Sequence, residues 1–346
     1  METLAGVIQQ NVELLPFNTL ALPAIAARWV KVVDLQQLPA LRAHSEVAGR
    51  RRLILGGGSN LVLTGDFDGI VLHIALPGRA LVAEDAGAWY IRAGAGESWP
   101  EFVAWTLQKE WPGLENLSLI PGTVGAAPIQ NMGAYGLEVS ERFHSLDAYD
   151  LSTDQTVTFN RADCCFSYRD SVFKQLGWHL SGRFVITHVT FRLPKPWQAL
   201  THYADLAAEL EKQPLKSPNA QQIAAAVIAI RQRKLPDPQK IPNAGSFFQN
   251  PVVDLLMAEQ LARRYPALPC YPQTNGTVKL AAAWLIEQAG WKGKNLGPVG
   301  MFERQALILV NQGGACGRDI LALAQAVQAD VKQRFGVELK PEPVFV

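Results

Sequence analysis

The sequence predicts an α+β protein of more than one domain. Three observations carry that expectation: a strand-rich first half holding two glycine loops, a proline break at Pro194 and Pro196, and a helix-rich remainder. A chain of 346 residues exceeds one ordinary core, so two or three domains are expected. With 48% hydrophobic and 18% charged residues, it carries the apolar material to fill them.

In chain order, RWVKVVD (28–34) reads as strand, LQQLPALRAHSE (35–46) as helix, and RRLILGGGSNLVL (51–63) as strand, glycine loop and strand. GIVLHI (69–74) and AWYIRAGAG (88–96) continue the strands. SWPEFVAWTLQKE (98–110) opens with Ser98 and Glu101 in capping-box spacing and Pro100 in the first turn, which predicts a helix. A small-residue loop, SLIPGTVGAAPIQNMGAYG (118–136), follows it. Strands RFHSLDAYD (142–150) and QTVTFN (155–160) lead to CCFSYRDSVFK (164–174) and to the strand RFVITHVTFRLP (183–194). Beyond the proline break, SPNAQQIAAAVIAIRQRK (217–234) is a helix with Ser217 as cap and Pro218 in first position, its C-terminal end crowded by Arg231, Arg233 and Lys234. VVDLLMAEQLARRYP (252–266) and VKLAAAWLIEQAG (278–290) follow, then the strand QALILVN (305–311). A long helix from about 318 to 334 sets Ile320, Leu323, Val327, Val331 and Phe335 on one face, and VELKPEPVFV (337–346) closes the chain as a strand.

Thirty-two basic against thirty-one acidic residues leave a net charge of +1, too little field for non-specific nucleic-acid binding. The N-terminal stretch lacks the basic flank of a secretory signal, and the apolar run IAAAVIAI (223–230) is too short to span a bilayer. A cytoplasmic chain with no membrane partner is expected. Cys164, Cys165, Cys270 and Cys316 fit neither a zinc spacing nor a disulfide framework, and the histidines are scattered. No metal site is expected.

ILGGGSNLVL (54–63) lacks the helix and the third glycine that a dinucleotide fingerprint needs. Gly56, Gly57 and Gly58, with Ser59 and Asn60, read either as an anion-binding nest or as a wide hairpin. The second loop, carrying Pro121, Gly122, Gly125, Gly133 and Gly136, lets backbone approach a large flat ligand closely. Together the loops suggest a phosphate-bearing cofactor held mainly by main chain. Arg169 pairs structurally with Asp170 or serves as a fixed cation for a substrate carboxylate or flavin oxygen. Arg231, Arg233 and Lys234 read as a solvated helix end or a phosphate site. Ser246 in NAGSFFQNP (243–251) sits in no nucleophile elbow and has no nearby histidine, so it is a turn residue or a proton donor in a dry pocket.

Taken together, LGGGSNLVL (55–63), IPGTVGAAPIQNMGAYG (120–136), YRDSVFK (168–174), KLPDP (234–238), NAGSFFQNP (243–251), KLAAAWLIEQAG (279–290) and the terminal Pro-Glu resemble the UDP-N-acetylenolpyruvoylglucosamine reductases, also called UDP-N-acetylmuramate dehydrogenases. The resemblance implies an FAD-binding fold of the vanillyl-alcohol oxidase type, with two subdomains (1–75, completed by 336–346, and 76–197) and an α+β substrate domain (198–335). It implies non-covalent FAD, since GGGSN has no histidine for attachment, reduced by NADPH. The substrate implied is UDP-N-acetylglucosamine enolpyruvate, a precursor for peptidoglycan, handled by a monomer.

Ser246 matches the family's proton donor, while Arg169 and Glu342 match residues that polarise the substrate carboxylate, Glu342 protonated or through a hydrogen bond. The cofactor positions implied are Gly56, Gly57, Gly58, Ser59, Asn60, Ile120, Pro121, Gly122, Gly125, Ile129 and Gly133. Tyr203, Lys234, Asn250, Gln305 and Lys292 match positions that hold the UDP-sugar, and CYPQ around Tyr271 resembles the subgroup with a tyrosine-bearing loop. Ala126 and Ala127 replace hydroxyl residues of relatives, leaving backbone donors, and Lys340 and Val344 depart from the pattern around Glu342. A flavin oxidase would share the cofactor half without needing Ser246, Asn250 or Lys234. A nucleotide-sugar binding module would leave both glycine loops idle.

Overall fold

Two sheets build the first half of the molecule. In the computed structural model, which describes residues 8–212 and 217–346, four strands lie in the order Gln9–Glu13, Ile25–Val32, Phe67–Ile74, Arg52–Leu55. Ile25–Val32 and Arg52–Leu55 both run parallel to Phe67–Ile74, so the glycine loop leaves the end of a parallel strand. The second sheet is antiparallel, in the order Gln155–Asn160, Phe143–Asp150, Phe184–Pro194, Ala88–Gly94, Arg79–Glu84. Arg79–Glu84 was not foreseen, because its residues are mostly exposed and carry no inward alternation. Trp99 and Phe102, from the helix Trp99–Gln108, pack with Phe191 in the core, the Trp99 and Phe191 rings 5.7 Å apart.

Packing divides the chain into two units. The first comprises the residues to Val12, Ile25–Gly58 and Phe67–Arg233; the second comprises Glu13–Ala24, Ser59–Asp66 and Lys234–Val346. The second unit holds an antiparallel sheet in the order Asn243–Ser246, Ile308–Asn311, Val299–Met301, Asn295–Leu296. A smaller sheet orders Val252–Val253, Val278–Leu280, Cys270–Pro272, and Leu61–Val62 pairs in parallel with Val344–Phe345. The face foreseen on the helix Gly317–Phe335 is the buried one, and Asp254 caps Leu255–Arg264 by accepting from the Met257 N–H.

Local chemistry differs from expectation at several ends. Ser98 is the N-cap of its helix but its side chain makes no cap bond, and Glu101, the other half of the expected box, pairs with Arg79 at 3.2 Å. The helix Ala220–Lys234 is capped by Asn219 rather than Ser217. Asn219 Oδ1 accepts from the Gln222 N–H and Gln222 Oε1 from the Asn219 N–H, each at 2.9 Å, a reciprocal box that starts the helix two residues later. The stretch 278–290 splits into the strand Val278–Leu280 and the helix Ala282–Gln288, since Leu280 must pair before the helix can turn. Only Val344–Phe345 of the closing stretch is strand, the prolines around Glu342 lacking ladder N–H groups. All four cysteines are free thiols. Among the described residues, no helix is long and apolar enough to cross a membrane.

Candidate functional site

The first unit presents a cradle made of backbone. Gly56, Gly57 and Gly58 follow the strand Arg52–Leu55, and the second loop lies against them: a Cβ on Gly57 would stand 3.0 Å from the Gly122 Cα. Main chain therefore meets main chain, as a close-approach loop requires. The second loop is tied down at both flanks. The Val124 N–H donates to the Glu97 carbonyl and the Gly125 N–H to the Ala95 carbonyl, each at 2.9 Å, and the Trp99 N–H donates to the Gly122 carbonyl at 3.0 Å. The loop is less structureless than its composition suggests, folding into the 3-10 turn Val124–Ala126 and the short pair Gly133–Ala134 with Leu137–Glu138. A cleft opens beside the loops, lined by Ile54, Gly56, Thr123, Gly125, Ala126 and Ile129 on one side and by Phe173, Trp178, His179 and Ile186 on the other. Small residues at the loops with apolar walls beyond suit a ligand with a flat ring and a phosphate-bearing tail.

Arg169 closes one end of the same loop. It sits in the left-handed region (φ 55), and its Nη2 donates to the Gly133 carbonyl at 2.7 Å. Its carboxylate partner is Glu138, 3.8 Å away, not the sequence neighbour Asp170. Asp170 instead accepts from Gln175 and pairs its backbone with Ser167. Glu138 also accepts from Asn131 Nδ2 at 2.7 Å. Glu138 went unrecognised because it lies thirty-one positions from Arg169 and only the fold brings them together. Ile129 is held by its carbonyl, which accepts from Ser171 Oγ at 2.5 Å.

At the helix end of this unit, Arg231 and Arg233 each have a partner. Arg231 donates to the Tyr135 hydroxyl, and burial lowers the guanidinium pKa and raises that of the phenol. Arg233 binds Glu209 at 2.8 Å. Glu209 lies on the helix Ala204–Leu210, whose N-cap is Tyr203; the Tyr203 ring is exposed and packs edge-on against Tyr135 at 5.4 Å.

The second unit builds its site from side chains. Ser246 ends the strand Asn243–Ser246 with its side chain exposed, while Phe247 and Phe248 are fully buried. Gly245 supplies the φ of +70 that this reversal demands. The C-terminal segment then runs beside the serine: the Glu342 N–H donates to the Phe247 carbonyl at 2.8 Å and the Gln249 N–H to the Lys340 carbonyl at 2.9 Å. Asn60 joins them, its Nδ2 donating to the Glu342 carbonyl at 3.3 Å and its own carbonyl accepting from the Val344 N–H. Thus Ser246, Glu342 and Asn60, far apart in sequence, share one corner of this unit.

Asn250 Oδ1 accepts from the Ala282 N–H at 2.9 Å, Gln305 Oε1 accepts from the Leu307 N–H at 3.4 Å, and Lys292 pairs with Glu287 at 2.9 Å. Lys234 stands where the helix Ala220–Lys234 ends. Lys279, which the sequence reading passed over, lies directly across the small sheet from Tyr271 and Val252. Its alternation with buried Val278 and Leu280 was the available signal.

Comparison with known proteins fits this arrangement. Residues 26–159 match a family model described as FAD binding domain, which defines the class as flavoprotein and agrees with the backbone cradle. Residues 237–346 match the model described as UDP-N-acetylenolpyruvoylglucosamine reductase, C-terminal domain. A UDP-N-acetylenolpyruvoylglucosamine reductase of Dechloromonas aromatica (strain RCB) is 63% identical over 97% of this chain and 98% of its own length. One of Azoarcus sp. (strain BH72) is 58% identical over 98% of each. The crystal structure of UDP-N-acetylenolpyruvylglucosamine reductase from Thermus caldophilus superposes with a TM-score of 0.64 at 21% identity, over 98% of this chain and 99% of that one, and so shares the fold. The chain is an FAD-dependent oxidoreductase. It belongs to the UDP-N-acetylenolpyruvoylglucosamine reductase family.

Proposed function

We propose that this chain reduces the enolpyruvyl double bond of UDP-N-acetylglucosamine enolpyruvate to give UDP-N-acetylmuramate, with Ser246 as proton donor. The observation that supports the reading is the hydrogen bond from the Glu342 N–H to the Phe247 carbonyl, 2.8 Å, which brings the Glu342 backbone alongside the residue after Ser246 in a member of this family. FAD, held non-covalently and reduced by NADPH, supplies the hydride. Its holders are Gly56, Gly57, Gly58, Ser59, Asn60, Ile120, Pro121, Gly122, Gly125, Ile129 and Gly133, mostly through backbone N–H groups. The functional division is 1–75 with 336–346 and 76–197 for the cofactor, and 198–335 for the sugar nucleotide, in a cytoplasmic monomer.

Addition of hydride to the terminal carbon leaves negative charge on the neighbouring carbon, delocalised into its carboxylate. Arg169, fixed by Gly133 and Glu138, neutralises that carboxylate. Glu342 polarises it, protonated or through a hydrogen bond. Ser246 then gives its hydroxyl proton to the carbon. An unactivated hydroxyl is a weak acid, but a carbanion beside it in a dry site is a strong enough base. Tyr203, Lys234, Asn250, Gln305 and Lys292 hold the UDP-sugar, whose diphosphate needs cations and donors.

The test is spectral. Purified enzyme is reduced anaerobically with NADPH and then mixed with the enolpyruvyl sugar nucleotide; the flavin absorbance should bleach and return. An oxidase would stay bleached until oxygen is admitted, and that result would overturn the proposal.

A further inference from the structure

We propose that Asn243 is a positioning residue for Ser246, clamping the serine strand to the segment that follows Lys234 through one buried side-chain amide. The inference rests on the reading of Ser246 as proton donor. Asn243 is 3% exposed, and its amide is used on both sides. Nδ2 donates to the Pro236 carbonyl at 3.1 Å and to the Ile241 carbonyl at 2.8 Å; Oδ1 accepts from the Gly245 N–H at 2.9 Å. The backbone N–H of Asn243 is itself anchored, donating to the Thr19 carbonyl at 2.9 Å.

The geometry explains why an amide is needed. Asn243 pairs with Val310 and Ser246 with Ile308, so the serine strand carries one extra residue. Such a bulge re-aims the side chain that follows it. It also takes the Gly245 N–H out of the ladder, and Asn243 Oδ1 accepts that orphan donor. The same amide binds Pro236, two residues past Lys234. One group therefore fixes the bulge that presents Ser246 and the start of the segment that carries a substrate lysine. Both jobs together need two donor hydrogens and an acceptor on one planar head, which a side-chain amide supplies. Aspartate in its place keeps the acceptor but turns its second oxygen toward two carbonyl oxygens.

The experiment uses the FAD-loaded full chain and measures the two half-reactions separately by anaerobic rapid mixing. Asn243→Asp should leave flavin reduction by NADPH within about twofold and slow reoxidation by the sugar nucleotide by ~10-fold or more, the scale of a misplaced reacting group. A residue acting through Ser246 has little left to disturb once the hydroxyl is gone. In the Ser246→Ala background and at saturating sugar nucleotide, where an effect exerted through Lys234 on binding drops out, Asn243→Asp should therefore cost less than about twofold. Gly245→Ala is the second variant, since a Cβ there meets open space while φ +70 strains the bulge. It should show the same pattern more weakly, and it decides the matter if Asn243→Asp does not fold.

Full reoxidation rates in folded Asn243→Asp, or in Gly245→Ala where Asn243→Asp does not fold, would overturn the clamp. So would losses that multiply in the double variant, which a merely structural role predicts. Normal reoxidation by Ser246→Ala alone would instead sink the proton-donor reading and the clamp with it.

Discussion

At the glycine loops of the first unit the site is made by what is missing: a Cβ on Gly57 would press on Gly122, so the loops can lie together only as bare backbone. At the serine corner of the second unit the site is made by what is added, an exposed serine at a bulge and the backbone of Glu342 brought alongside Phe247 by the last residues of the chain. Backbone can shape a surface and donate N–H groups to a cofactor that every turnover reuses. Proton delivery needs a group with its own acidity, which backbone does not supply. Damage in the two places should therefore surface in different measurements, binding in one and the rate of a single chemical step in the other.

The widest separation is expected at Ser246. Ser246→Ala should leave reduction of the flavin by NADPH intact and slow reoxidation by the sugar nucleotide by ~10² or more, the ordinary worth of a positioned acid. Equal loss in both half-reactions would mean the serine supports structure, and the contrast between the regions would collapse. Glu342→Gln should follow the same pattern with a smaller loss, ~10-fold on reoxidation, because the amide keeps one hydrogen-bonding role while losing the acid.

The opposite signature is expected at Gly57. Gly57→Ala forces backbone apart by a few tenths of an ångström and should raise the FAD Kd about tenfold, or about 1.4 kcal/mol. At saturating FAD its reoxidation rate should stay near that of the parent. Flavin fluorescence titration reads the first and rapid mixing the second. Normal FAD affinity in this variant would show that the close approach of the loops is incidental to the cofactor.

The same contrast governs how much the sequence discloses. The loops are legible because a run of glycines and alanines is a local fact, and the long amphipathic helix Gly317–Phe335 is legible because its period is local too. Ser246 and Asn60 stand out within their own segments, but their roles and that of Glu342 come only through motif resemblance, and their adjacency depends on the chain end folding back along Phe247–Gln249. Glu138 was missed as the partner of Arg169 for the same reason, while Asp170, adjacent in sequence, drew the pairing to itself. Asn219 was overlooked beside Ser217 because both are good caps, and only the side-chain bond with Gln222 decides between them. Sequence distance, more than chemistry, sets what can be read.

The smallest effect tests a third way of holding a group, by solvent-exposed ion pairs. Glu209, on the helix that begins after Tyr203, accepts from Arg233 and from Lys212, and these bonds, Arg233 first, hold its carboxyl down to about 2. A folded-state value below the unfolded one means the pair stabilises fully above the ordinary carboxylate range and loses that contribution as pH falls toward about 2. Screening by water limits its size to about 0.5 kcal/mol. Glu209→Gln should thus lower the urea midpoint slightly at neutral pH, with the gap to the parent closing as the pH is taken from about 5 to about 3. A gap that persists through that range would mean the glutamate acts by packing rather than charge. A loss of sugar-nucleotide affinity alongside the neutral-pH effect would extend the contrast, tying the Tyr203 helix to binding through salt-sensitive contacts rather than through backbone or acid chemistry.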